Sequence, residues 1–363
     1  MSTASRDEQA EGKPASARPK SSVAGWFVAR LLFSCFLIAI VGAGALYFYY
    51  TESTSKPRDF NNQVFEIKSG QSFSGFANKL VDLGVIGEPL SFQLLARQRG
   101  LAGKLHTGKY QLEDGLSLEQ ILQKVTSGKG QVSHSLRFVQ GSTFKQLLAT
   151  LKAQSKLGQT LENVSGRELM RQLFDKDVDP EGQFYPDTYL FKSGDTDVSI
   201  LRRSYELMQS KLSRLWDERA ADQVHKTAYD ALIMASIIEK ETAQASERKL
   251  ISGVFANRLN IGMRLQTDPT VIYGIGDAYT GNITRKHLKT DTPYNTYTRY
   301  GLPPGPICLP GEAAIEAAVN PDKTKALYFV AKGDGTRGHY FSKNLKEHNK
   351  AVKRYLANRK KNK

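Results

Sequence analysis

The sequence predicts a mixed α+β protein with a single N-terminal transmembrane helix, and three observations predict it. Residues 31–50, LLFSCFLIAIVGAGALYFYY, carry no charge; a strand, a glycine turn and a capped helix then recur three times; and a long apolar helix near residue 235 ends in carboxylates. With 40% hydrophobic and 24% charged residues, the chain is neither wholly disordered nor a polytopic membrane protein. Two cysteines, Cys35 and Cys308, exclude a disulfide framework and a thiolate-rich zinc site, so the fold must rest on its core.

The apolar run is long enough, at about 30 Å as a helix, to cross a bilayer. Arg30 closes one end, and Tyr47, Phe48, Tyr49 and Tyr50 mark the other, where aromatic side chains favour the membrane interface. Arg6, Lys13, Arg18, Lys20 and Arg30 on the short N-terminal side favour leaving that tail in the cytoplasm. No small-x-small cleavage pattern follows the aromatics, so the run reads as an uncleaved anchor at 25–50, after a polar tail at 1–24 that cannot bury a core. Residues 51–62 are polar and contain Pro57, which reads as a linker.

Three segments then align on a glycine: Phe65–Phe73 on Gly70, Tyr110–Leu118 on Gly115, and Leu136–Phe144 on Gly141. In each, alternating apolar residues suit a half-buried strand and Gly supplies the turn. Ser72, Ser117 or Thr143 can then cap an amphipathic helix, as with Phe73, Phe76, Leu80 and Leu83. Such modules, at 63–130, resemble LysM-like glycan-binding modules, although plain α+β packing accounts for the same pattern. Residues 131–225 read as a connecting α+β region. Within it, the aromatics of Gly182–Phe191 suit either an exposed sugar-stacking strip or core. Helices are predicted at 198–224 and 227–243, with a break at His225–Lys226. At the C-terminus, 326–331 and 339–341 flank a glycine turn and predict a hairpin, followed by a basic helix over 344–359.

The region 226–363 holds the chemistry. On a wheel of about 100° per residue with Leu232 at zero, Glu241 falls at about 180°, within the stripe of Ile233, Ile237, Met234 and Ile238. Glu239 falls on the opposite side, where a solvated or ion-paired carboxylate is expected. A carboxylate on the apolar face loses hydration and can keep a proton at neutral pH, as a general acid must. A glutamate near a helix end can also emerge into water, and spacing alone leaves that open. Downstream loops rich in Gln, Asn, Thr and Tyr suit a cleft for a neutral, hydroxyl-rich polymer. The six histidines are scattered, so no metal site is expected, and no phosphate loop or nucleophile elbow occurs.

Ala235-Ser-Ile-Ile-Glu-Lys-Glu-Thr242, Gly262-Met-Arg-Leu-Gln-Thr-Asp-Pro-Thr270, Tyr294-Asn-Thr-Tyr297 and Gly301-Leu-Pro-Pro-Gly305 together closely resemble the YceG-like endolytic murein transglycosylases. Glu181-Gly182 and Phe184–Thr188 also resemble that family's pattern. The resemblance implies a single-pass protein of the bacterial inner membrane, with a LysM-like subdomain and a mixed α/β catalytic domain in the periplasm. It implies that Glu241, on its helix, is the catalytic acid and base; Asp268 is expected to orient sugar or stabilise positive charge, and Gln266, Tyr294, Asn295 and Tyr297, by motif position, to contact substrate or support the residues that do. No cofactor is implied. The expected partners are peptidoglycan glycan strands, the membrane through one helix, and peptidoglycan synthases. A net charge of +15 suits the anionic envelope polymer and lipid surface, and external placement argues against nucleic acid. The alternative is a non-enzymatic glycan-binding scaffold that recruits wall-synthesis proteins.

Overall fold

The computed structural model describes residues 23–58, 62–68, 70–161 and 166–361. The tail expected at 1–24 lies almost wholly outside them. Among the described residues the fold is mixed α+β and divides into two compact units, one built from residues up to His106 and Tyr110–Gly130, the other from Thr107–Lys109 and Gln131 onward.

In the first unit, α1 (Val23–Ser55) contains a stretch, Trp26–Ser55, long and apolar enough to cross a membrane. It continues five residues past the expected anchor. Thr51, Ser53 and Thr54 turn their hydroxyls back onto carbonyls three or four residues earlier, which lets a polar segment stay helical. Thr54 is buried, and the last turns of α1 pack on α3 (Pro89–Gln98) and α4 (Leu118–Ser127). Strands β1 (Val64–Ile67) and β2 (Gly108–Gln111) form a two-stranded sheet, and α2 (Phe73–Asp82) completes the unit. Its core stacks Phe65 between Phe76 and Tyr110, at ring separations of 5.4 and 5.5 Å.

Ser72 and Ser117 accept the backbone N–H of Gly75 and Gln120, as helix N-caps do. Thr143 does the same for Gln146 at the start of α5 (Phe144–Lys152), and Gly70, Gly115 and Gly141 all take positive φ. The third module belongs to the second unit, where β3 (Ser133–Arg137) is followed by α5, α6 (Gly166–Phe174) and β4 (Thr188–Lys192). Strands β3 and β4 pair antiparallel with Leu136 opposite Tyr189. The Gly182–Phe191 aromatics resolve as core: Phe184, Tyr185, Tyr189 and Phe191 are all buried.

Helix α7 (Asp197–Asp217) ends seven residues before the predicted 224, because the Ala220 N–H leaves the helix to pair with the Val319 carbonyl. Helices α8 (Ala228–Glu241), α9 (Arg248–Asn260), α10 (Asp268–Ile275), α11 (Arg285–Lys289) and α12 (Glu312–Val319) follow. Every residue from Ala231 to Ile238 is buried, so α8 is the central rod of the unit, flanked by α7, α9, α10 and α12. The hairpin of β5 (Tyr328–Ala331) and β6 (His339–Ser342) precedes the basic helix α13 (Leu345–Lys361).

Gly253 on α9 marks the tightest approach to the core's edge, since a Cβ there would sit 2.3 Å from the Asp322 carbonyl oxygen. Gly253→Ala is expected to cost about 2 kcal/mol by overpacking, read as a lower urea midpoint with an unchanged slope.

Candidate active site

Thr227 and Asp230 cap the start of α8, and burial of its middle fixes its axis, so the position of its last residue, Glu241, is set by the core. At Thr242 the backbone turns extended, which ends the helix. Glu241 keeps part of its surface, yet its carboxyl group is enclosed. Loss of hydration pushes its pKa up to about 7; a hydrogen bond from Thr267 works against the rise, the nearby Asp268 adds to it, and Arg258 opposes it.

Among the described residues, the hydrogen bond onto the Glu241 side chain comes from the Thr267 hydroxyl, a neutral donor. The cation nearby is otherwise engaged. Arg258, 6% exposed, donates to the carbonyls of Leu327 at 2.7 Å and Leu265 at 2.5 Å, bracing the loop that carries Thr267 against β5. Thr267 is fixed in turn: its N–H donates to Thr296 Oγ1 at 3.0 Å, and its carbonyl accepts the Thr270 hydroxyl at 2.8 Å. Gln266 sits before it in a left-handed conformation, φ 49°, with its N–H on the Thr296 carbonyl and its side chain exposed.

Asp268 opens α10 and is exposed; Tyr297 donates its hydroxyl to it at 2.5 Å. Glu241, Asp268 and Tyr297 are thus brought together, with Gln266 beside them. Tyr294 lies half-buried against Tyr273, ring centroids 4.7 Å apart. Asn295 is 1% exposed, with its amide donating to the Thr290 carbonyl at 2.7 Å and its oxygen accepting the Tyr297 N–H at 2.8 Å. Its side chain holds the loop, which places its contribution in support of Tyr297.

Glu239, two residues before Glu241, is nearly buried but compensated. It accepts the Gly311 N–H at 3.0 Å and faces Arg248 at 3.8 Å. Thr267 and Thr296, inside the family-like motifs, and Arg258, outside them, take no site role by motif position because their parts depend on contacts between loops; nor does Glu181, although the Glu181-Gly182 segment resembles the family's pattern. That glutamate is 4% exposed, accepts from Phe144 N and Tyr273 Oη, and is pushed up to about 7 by burial. Among the described residues no cluster of His, Cys, Asp and Glu suited to a metal ion occurs.

A carboxyl at the end of a helix buried through its middle, with its pKa pushed up to about 7 and hydroxyl and amide loops around it, has the chemistry that a general acid needs. The chain belongs to the YceG-like family, whose model matches residues 65–354. It is 33% identical over 332 residues to the endolytic murein transglycosylase of Bacillus subtilis, covering 86% of this chain and 91% of that protein. It is 29% identical over 355 residues to the protein of the same name in Streptococcus pneumoniae D39, covering 88% of this chain but 64% of that longer protein. A 2.6 Å crystal structure of a yceG-like protein from Listeria monocytogenes matches with a TM-score of 0.50 at 33% identity, over 80% of this chain and 99% of that one.

The titration of Glu241 can be followed directly by the 13C shift of its carboxyl. Asp268→Asn removes a like charge and is expected to lower the midpoint from about 7, whereas Thr267→Val removes a donor to the carboxylate and raises it, each by about half to one unit; shifts of the same sign would contradict the geometry.

Because the folded-state pKa of Glu241 lies above the usual value of 4.5, the folded state binds the extra proton, and stability falls as pH rises from about 4.5 through 7. Glu241→Gln is therefore expected to be more stable than wild type at pH 8, by on the order of 2 kcal/mol, and to gain nothing at pH 4. Urea unfolding at the two pH values checks this.

Proposed function

We propose that this protein is a membrane-anchored endolytic transglycosylase that cleaves the β-1,4 bond between N-acetylmuramic acid and N-acetylglucosamine in peptidoglycan. The observation that carries the reading is the Glu241 carboxyl, poised near neutrality with a hydroxyl as its hydrogen-bond partner. Family membership and the names of the relatives from B. subtilis and S. pneumoniae support it.

Protonated Glu241 donates to the glycosidic oxygen as the bond from C1 breaks. The resulting carboxylate takes the proton of the muramic acid C6 hydroxyl, whose oxygen bonds to C1 and closes a 1,6-anhydro ring. The proton lost in the first step is regained in the second and no water is consumed. A pKa near 7 serves both halves, because acid and conjugate base are each accessible at neutral pH. The attacking hydroxyl is part of the substrate, so no second carboxylate has to activate water. Asp268, oriented by Tyr297, stabilises the positive charge that develops on the sugar ring. Gln266 and Tyr294 contact sugar, and Asn295 keeps their loop in shape.

In this reading residues 63–130 form a LysM-like subdomain that holds glycan, with 131–225 connecting it to a catalytic region at 226–363. Helix α1 anchors the chain in the inner membrane, its N-terminal tail cytoplasmic and the catalytic part periplasmic. Cuts made close to the bilayer would terminate nascent strands beside the synthases that make them.

Purified glycan strands incubated with the full chain in detergent, wild type against Glu241→Gln, test the reading by mass spectrometry. Wild type should yield internal fragments ending in 1,6-anhydromuramic acid, and the variant at least about a thousandfold less. Reducing ends would mean hydrolysis, and intact strands bound equally by both proteins would mean a scaffold.

A further inference from the structure

Helix α13 carries seven cations and one carboxylate, Glu347. Its inward face is committed to the hairpin: Ala351 is buried, His348 stacks on Tyr328 with ring centroids 5.1 Å apart, and Asn358 donates to the Lys332 carbonyl at 2.9 Å. Those contacts fix which side faces outward. At about 100° per residue, Leu345, Asn349, Lys353, Leu356 and Lys360 fall within about 80° of one another on the side opposite Ala351, with Lys346 and Lys350 beside them. All of these outward residues are exposed. Among the described residues the one ion pair made by α13 joins Glu347 to Lys343, so Lys346, Lys350, Lys353 and Lys360 have no carboxylate partner. Leu345 and Leu356, 56% and 50% exposed, stand on nearly the same line, about 16 Å apart along the axis. A groove of about 450 Å3 lies on this face, lined by Leu345, Lys346, Asn349, Lys350 and Lys353.

A face of this composition asks two things of a partner: negative charge against the ammonium groups and an apolar layer for the leucines. A phosphate or carboxylate polymer in water answers the first and leaves the leucines wet. A bilayer with anionic headgroups answers both, at different depths. Lysine stems lie along the apolar boundary while their charged ends stay among the phosphates, and leucines on the same face enter below them.

We propose that the outward face of α13 docks on the anionic headgroup surface of a phospholipid bilayer, a second membrane contact besides α1. Leu345 and Leu356 enter the boundary between headgroups and acyl chains, and Lys346, Lys350 and Lys353 hold the phosphates. The proposal shares the α1 anchor with the transglycosylase reading and is independent of the chemistry at Glu241.

The test uses the full chain reconstituted in nanodiscs of phosphatidylcholine alone or mixed with an equal part of phosphatidylglycerol. A nitrobenzoxadiazole fluorophore is attached at Asn349→Cys in a Cys35→Ser background; Cys308 is buried and stays unlabelled. Acrylamide, an uncharged quencher, reports how far the probe is open to water. Phosphatidylglycerol should cut quenching about tenfold and shift the emission to the blue, while phosphatidylcholine alone should leave the probe open. Each Lys→Gln change should weaken attachment about fivefold, so K346Q/K350Q/K353Q should abolish the shielding, with the thermal midpoint unchanged because all three are exposed. Leu345→Ser with Leu356→Ser should restore about half of the quenching or more. Equal quenching in the two kinds of disc would overturn the proposal, as would shielding that survives K346Q/K350Q/K353Q. Polyphosphate that shields the probe in phosphatidylcholine discs as fully as phosphatidylglycerol does, or leucine variants that shield like wild type, would mean a face for water-soluble polyanions and overturn the membrane assignment. Anhydro-end formation is measured on the same samples, so loss of that activity and loss of docking are read separately.

Discussion

A carboxyl group in water at neutral pH has lost its proton almost completely. The pKa of Glu241 is pushed up to about 7 because hydration has been stripped from it at the end of α8 and the donor supplied in exchange is the neutral hydroxyl of Thr267. Much of the second unit serves that exchange. The capped α8, buried from Ala231 to Ile238, fixes where the group emerges; Arg258, which could have ionised it by pairing, instead ties Leu265 and Leu327 together. Thr296 and Thr270 hold Thr267 in place through uncharged contacts, so its hydroxyl faces the carboxyl without a positive charge coming with it.

Glu241 and Glu181 show how burial and partners together set ionisation. Glu181 receives an amide N–H and a phenol, neither charged, and like Glu241 it is pushed up to about 7. The residues with raised values are those whose desolvation is only partly offset by neutral donors.

How much of this was legible in the chain follows from the range of each interaction. The glycine turns and the Ser72, Ser117 and Thr143 caps act within a few residues and could be read directly. Glu241 was selected by a helical wheel and by the family's motifs, but the wheel's premise of one apolar face does not describe α8, which is buried on every side from Ala231 to Ile238. What separates Glu241 from Glu239 is a hydroxyl 26 residues downstream in one case and a glycine amide 72 residues downstream in the other. Asn295, grouped with the substrate by motif, has its amide engaged by backbone carbonyls. The early end of α7 and the helical 51–55 segment were hidden for related reasons: a carbonyl from α12 competes with the helix, and hydroxyls that usually mark a loop fold back onto it.

The unbroken passage of α1 from its apolar stretch into the first unit has a mechanical meaning. Tyr50 donates to Gln98, and Arg58 reaches back to the Ser53 carbonyl and across to Val85, so the end of the helix is bolted to the unit it carries. Twelve extended residues in place of that junction would have acted as a leash of roughly 40 Å, free to sweep a hemisphere. A helix clamped by side chains acts as a post: with its apolar stretch seated in a bilayer, the first unit would stand at one height and tilt only as the post tilts. The distance at which this unit meets a polymer would then be a dimension of the molecule, fixed by residue count, and not an average over the wandering of a tether.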